Sequence, residues 1–219
     1  MDFYDSVIST STLFREIDSC DIPNMLQCLS SVRKNFKKGS FIFNAGDQGV
    51  PLTMLLEGEV HIITEDYWGN QTILAEIRPG HIFAETYALA PEVPLSVSAY
   101  ALTDCTVLMM NTANILRACP QSCAFHQTLI QNLVEILASK NLMLTGKLEH
   151  MSQRNTRNKL LSYLSVQSLQ NGSSTFEIPF NRQQLADYLA VDRSAMSSEL
   201  SKLKKEGLLD FNKNSFTLH

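Results

Sequence analysis

No stretch of this 219-residue chain approaches the run of ~20 apolar residues that crosses a bilayer. The first residues, Met-Asp-Phe-Tyr-Asp-Ser, lack the basic and apolar regions of a signal peptide, so a cytoplasmic location with no membrane partner is expected. There is no internal repeat and no low-complexity segment. The cysteines (Cys20, Cys28, Cys105, Cys119 and Cys123) are odd in number, which argues against a disulfide framework. Histidine is scattered over His61, His81, His126, His150 and His219, with no His-x-His pair. No Ser/His/Asp arrangement and no phosphate-cradling glycine loop with a lysine is present, so no catalytic residue is assigned and an enzyme is not expected. Basic charge is also short, with a formal net charge of −4.

That deficit looks wrong for a nucleic-acid binder until the chain is divided. Residues 149–219 carry nine Lys/Arg against seven Asp/Glu, a surplus of two cations. Residues 1–148 carry nine against fifteen, a surplus of six anions. The asymmetry fits an acidic body joined to a mildly basic reader. Pairing two readers would double the phosphate contacts of so weak a footprint.

With 44% hydrophobic residues, the chain can bury the core of one large or two modest domains. Short helices are expected up to residue 30, including Ile22–Leu29. From Val32 to Met110, short β-branched runs alternate with glycine-containing turns: Ser40–Phe43, Leu52–Glu57, Val60–Thr64, Thr72–Ile77, Val97–Ala101 and Thr106–Met109. Strands at this spacing predict an antiparallel β-roll or jelly roll. A long helix follows over about 123–151. Its apolar positions Ile130, Leu133, Leu137, Leu144, Leu148 and Met151 recur at coiled-coil spacings, which predicts pairing with a second copy. Lys140 and Asn141 interrupt this stripe, and a buried polar position there would set register. Asn155–Leu169 predicts a further amphipathic helix, with Leu160, Leu161, Leu164 and Leu169 inward. The fold class is therefore α+β. Its expected domains are residues 1–148, a roll with its long helix, and residues 149–219.

The most informative segment is 181–207. It reads as two short helices joined by a tight turn, with Asp192 capping the second and Gly207 ending it. Leu185, Leu189, Val191, Met196, Leu200 and Leu203 hold the pair together, and Ala186 and Ala190 are small where the helices cross. The second helix presents Arg193, Ser194, Ser197 and Ser198 outward, as a helix-turn-helix presents a recognition helix to the major groove. Arg193 is the expected reader of a guanine edge. Ser194 and Ser197 are expected at a base edge or a phosphate. Arg182, Lys202, Lys204, Lys205 and Lys213 are candidate backbone contacts. Leu208–Phe211 and Phe216–Leu218, joined at Asn212-Lys213-Asn214, would form a wing.

Roll, long helix and winged helix-turn-helix in this order resemble the Crp/Fnr family of bacterial transcription regulators. The likeness rests on Gln184-Leu185-Ala186-Asp187-Tyr188-Leu189-Ala190-Val191-Asp192-Arg193-Ser194-Ala195-Met196-Ser197. It is supported by Leu56-Glu57-Gly58-Glu59-Val60 and Pro79-Gly80-His81-Ile82-Phe83-Ala84-Glu85. The resemblance implies a cyclic-nucleotide-binding-like roll and a homodimer on double-stranded DNA with a partly palindromic operator. It also implies an effector in the roll that resets the dimer helices, with RNA polymerase as a further candidate partner. Many members carry arginine where this chain has Ser198, so part of the usual base code is absent.

In members that bind cyclic nucleotides, a glutamate bonds the ribose and a later Arg-Ser pair takes the phosphate. Here Glu85 matches the glutamate, but the later pair is Leu95-Ser96. A buried phosphate needs a fixed positive charge that Leu95 lacks, so cyclic AMP is not the expected effector. The candidate pocket residues are Glu85, Phe83, Tyr87 and Ser96, with the effector and any cofactor unassigned. Cys20 and Cys28 stand eight apart without the close cysteine ligands of an iron–sulfur site. Cys119, Cys123 and His126 are weak candidates for metal or haem, and two buried thiols with a bonded histidine are the preferred reading. The rival readings are a cupin-like binding protein or enzyme, and a constitutive DNA-binding regulator without an effector.

Overall fold

A computed structural model describes residues 3–69, 71–116 and 124–219 of the chain. They divide into two compact units, Met1–Ala138 and Ser139–His219. The division falls inside the long helix rather than at residue 148. The first half of that helix packs on the roll, whereas its last turn packs on the C-terminal helices.

The first unit begins with α1 (Phe3–Thr10), a single 3₁₀ turn at Thr12–Phe14 and α2 (Ile22–Cys28). Eight strands follow: β1 (Val32–Phe36), β2 (Phe41–Phe43), β3 (Leu52–Glu57), β4 (Val60–Glu65), β5 (Gln71–Ile77), β6 (Ile82–Phe83), β7 (Ser98–Ala101) and β8 (Cys105–Met110). Between β6 and β7 lies α3 (Glu85–Leu89), and after β8 come α4 (Thr112–Leu116) and α5 (Ala124–Met151). All pairings are antiparallel, in two four-stranded sheets ordered β1-β8-β3-β6 and β2-β7-β4-β5.

Burial in β3 explains its unbroken apolar run. Leu52, Met54 and Leu56 pack with Ile8, Phe14, Leu129 and Leu133 in a helix-facing core. Leu55 points the other way, into the roll, with Phe43, Phe83, Leu95 and Val107. Strand β8 divides likewise, sending Leu108 and Met110 to the helices and Val107 and Met109 into the roll. The first sheet is thus the middle of three layers, covered on both faces. The β3–β4 turn requires glycine: Gly58 has φ +93°, and a Cβ there would lie 2.4 Å from the Asp104 carbonyl oxygen.

Six of the expected strands lie within a residue or so of their predicted bounds. Between Val32 and Met110, three elements have no counterpart in the sequence reading. Strand β1 (Val-Arg-Lys-Asn-Phe) is mostly exposed and pairs only with β8 at the sheet edge, so it carries no apolar alternation. Strand β6 and helix α3 are too short to show a period.

The second unit contains the end of α5, α6 (Thr156–Asn171), β9 (Thr175–Glu177), α7 (Arg182–Leu189), α8 (Arg193–Lys205), β10 (Leu209–Asn212) and β11 (Ser215–Leu218). Its core joins Leu160, Leu164, Phe176, Leu185, Leu189, Met196, Leu200, Leu203, Leu209 and Phe216. Leu169 is not inward as expected but exposed, because α6 ends at the left-handed Gly172 beside it. Strands β10, β11 and β9 form the wing sheet.

Candidate nucleic-acid interface

Each helix of the 182–205 pair is fixed at its start by a side-chain cap. Asn181 Oδ1 accepts from the Gln184 backbone N–H at 3.0 Å, and Gln184 Oε1 accepts from the Asn181 N–H at 2.9 Å. This reciprocal capping box defines the start of α7. The turn passes through Ala190 in the left-handed region, at φ 50°. Asp192 then caps α8, accepting from the Ala195 N–H at 2.9 Å and from the Ser194 hydroxyl. These donors, the Ser194 hydroxyl first, hold the Asp192 carboxyl below the usual carboxylate range.

Local hydrogen bonds leave the polar side chains on the outer face of α8 unequal. Arg193, Ser194, Ser197 and Ser198 are all exposed. The Ser194 hydroxyl is committed to Asp192, and Ser197 Oγ donates to the Arg193 carbonyl at 2.9 Å. Arg193 and Ser198 have no such commitment among the described residues. The guanidinium is therefore the strongest directional donor on the outer face of α8.

The cations also sort themselves. Lys202 pairs with Glu199 at 3.2 Å and Lys204 with Asp210 at 2.8 Å. Arg157 is held by Glu206, with Glu199 at 3.5 Å. Lys159 Nζ donates to the Leu189 carbonyl at 3.1 Å. Arg182, placed by sequence among the phosphate contacts, lies over the rings of Phe211 and Phe216 at 4.7 and 5.1 Å. Burial there lowers its pKa. It nevertheless lines one open groove with Arg193, Lys213, Asn181, Gln183 and Asn214, and no carboxylate lines that groove. Lys213 is exposed at the tip of the wing, at φ 52°. Sequence reasoning missed Gln183 and Asn181 as groove residues. The polar Asn-Arg-Gln-Gln run at the start of α7 was the available signal.

Comparison with protein families matches residues 33–122 to a cyclic nucleotide-binding domain and residues 158–219 to a Crp-like helix-turn-helix domain. The chain belongs to the Crp/Fnr family. It is 26% identical over 181 residues to the cyclic AMP receptor protein of Thermus thermophilus, covering 81% of this chain and 79% of that protein. Among solved structures it resembles the catabolite activator protein of the same organism, with TM-score 0.56 and 24% identity over 95% of this chain and 94% of the other. It also resembles the c-di-GMP responsive regulator CLP of Xanthomonas campestris, with TM-score 0.54 and 21% identity over 92% of this chain and 99% of the other. The cupin-like alternative is set aside by these matches. This Crp/Fnr member is a DNA-binding transcription regulator with a separate effector-binding domain.

Within that domain the four expected pocket residues lie close together. Phe83 is buried 6.1 Å from Phe43. Tyr87 on α3 shares a 2.6 Å hydrogen bond with the Ser96 hydroxyl. Glu85 is buried at the first position of α3. Leu95 is buried in the same cluster as Phe83, and its backbone is clamped by Gly46 N–H and the Asp47 carbonyl. The cation absent from the sequence at this position is replaced by packed hydrocarbon.

Of the weak metal candidates, Cys119 and Cys123 lie outside the described residues. His126 is buried, stacks on Phe125 at 5.8 Å, and bonds through neither ring nitrogen among the described residues, contrary to the backbone-bonded histidine expected. The six candidate dimer positions separate, with Met151 36% exposed. Leu133 is 2% exposed and belongs to the helix-facing core of its own subunit. Ile130 and Leu137 pack partly against that core. Leu144 and Leu148 are 60% and 66% exposed, as is Val134 at 58%. No helix among the described residues is long and apolar enough to cross a membrane.

Proposed function

We propose that the protein is a cytoplasmic, homodimeric regulator that reads a partly palindromic operator through Arg193. Its roll binds a small effector that is not cyclic AMP. The observation that carries the DNA reading is the outer face of α8, where the caps leave Arg193 as the free directional donor beside a carboxylate-free groove. A bidentate arginine–guanine pair is worth about 1–3 kcal/mol at each half-site.

The dimer reading rests on α5. Ile130, Val134, Leu137, Asn141, Leu144, Leu148 and Met151 alternate at spacings of four and three, the repeat of a two-stranded coiled coil. Val134 replaces Leu133 in this seam, since Leu133 is already spent inside the subunit. The occupant that fits such a stripe is a second copy of it. The effector reading rests on Leu95: an anionic phosphate beside buried hydrocarbon would lack its counter-charge. RNA polymerase remains a candidate partner on the family resemblance alone.

The test begins by selecting a preferred duplex from a random library. Binding is then compared for wild type and Arg193→Ala. Specific affinity should fall to the level of random DNA while the fold and the dimer persist. Unchanged specific affinity would remove Arg193 from the reading face.

A further inference from the structure

From Ser139 to Glu149, α5 is mostly exposed. Its next residue, His150, is 3% exposed and lies among side chains of α6 and α7. Its Nδ1 is 2.8 Å from the Ser162 hydroxyl. Its ring meets Tyr163 edge-on at 5.6 Å and Tyr188 at 6.4 Å. Tyr163 and Tyr188 are 5.4 Å apart, and Phe180 lies 5.0 Å from Tyr188. One turn earlier, Lys147 places its ammonium 5.6 Å from the Tyr188 ring centre. Together they form an aromatic joint between the dimer helix and α7, the first helix of the reading pair.

We infer that neutral His150 is a positioning residue that locks α5 to the reading head, and that protonating it loosens the head and weakens operator binding. This rests on the operator and dimer readings above.

The joint has little to offer an imidazolium. From α6 it faces Ser162 and Tyr163, and from α7 Tyr188. The charged groups within one turn of it on its own helix are Glu149, which is exposed, and Lys147, a second cation against the same cluster. Burial pushes Tyr163 up to about 12 and raises Tyr188 as well, so both phenols stay neutral. His150 is the one group of the cluster that changes charge near neutrality. Burial lowers its pKa from 6.5, and the opposing pull of Glu149 is smaller. An unfolded or released His150 therefore binds a proton more readily than a locked one. The lock is intact above pH 6.5, weakens as pH falls from 6.5 to the lowered value, and loses nothing further below it.

The experiment uses the full chain and the duplex selected at pH 7.5. Binding is followed by fluorescence anisotropy from pH 8 to 5.5 at constant ionic strength, beside a random duplex of equal length. Wild-type specific affinity should fall as pH drops below 6.5, by at most about tenfold per pH unit, and level off below the lowered value, where locked and released forms are both protonated. His150→Gln, which keeps a polar side chain but does not titrate, should give a flat profile. Binding to the random duplex should not fall for either protein. A flat wild-type profile, or the same fall in His150→Gln, overturns the inference. If His150→Gln does not fold by circular dichroism, the wild-type His150 ring-proton shift decides: its midpoint must lie below 6.5 and coincide with the affinity midpoint, and a separate midpoint refutes the lock. A library that yields no preferred duplex would instead overturn the operator reading.

Discussion

The salt dependence of operator binding separates what composition suggests from what the structure allows. Residues 149–219 contain nine cations, and two heads would contain eighteen. If each met a phosphate, log affinity against log salt would fall with a slope near −16, at about 0.9 per contact. Arg157, Lys202 and Lys204 are instead paired with carboxylates, Lys159 is bound to carbonyls, and Arg182 lies over two rings. Among the described residues this leaves Arg154, Arg193, Lys205 and Lys213 on each head, so the slope should be no steeper than about −7. Replacing Lys213 with glutamine removes one contact per head and should make the slope shallower by about 1.8. Lys204→Gln, which loses a cation already spent on Asp210, should change it far less. The assay is anisotropy on the selected duplex from 50 to 200 mM KCl, a range over which a slope of −7 costs about four decades of affinity. A slope near −16, or equal changes for Lys213→Gln and Lys204→Gln, would refute the assignment of paired and free cations.

Two further outcomes test the upper part of the molecule. Leu148→Arg should give a folded monomer by sedimentation, whereas Leu133→Ala should keep the dimer and destabilise the roll by about 2–5 kcal/mol. The reverse pattern would exchange the two faces of α5. Millimolar cyclic AMP should leave the melting temperature unchanged, and Leu95→Arg should be the change that introduces a response. A clear stabilisation of wild type would contradict the packing argument at Leu95.

The reading head was almost wholly legible because its signals are local. Asp192 and Gly207 are helix-end signals whose chemistry acts over a few residues, and the Leu185–Leu203 spacing closes a core within one segment. What sequence could not give is which polar groups are already satisfied. Arg182 and Ser197 have the right type and position, yet the rings of Phe211 and Phe216 and the Arg193 carbonyl engage them. Those partners are set by packing. On α5 the difficulty is different. Leu133 and Val134 are neighbours with equal claims on an apolar stripe, and only the roll, which buries Leu133, decides between them. His150 gave no signal at all, since its three ring partners come from α6 and α7.

In the proposed dimer, Asn141 would turn the seam from a sticky face into a specific one. It occupies the heptad position shared by Val134 and Leu148, seven residues from each. It is exposed, with Leu144 one turn on. A single asparagine at such a position weakens a coiled coil, yet it fixes register and the two-stranded state, because only the aligned pair satisfies both amides. For a palindrome reader, a register slip of one heptad would offset the heads by about 10 Å, at 1.5 Å per residue. That offset would ruin half-site spacing. Asn141→Leu should therefore raise dimer stability and admit larger assemblies, while lowering the fraction of protein competent for the operator. Analytical ultracentrifugation and active-fraction titration on the selected duplex would read both effects in one preparation. A more stable dimer that stays two-stranded and fully competent would show that the roll, not Asn141, sets the register.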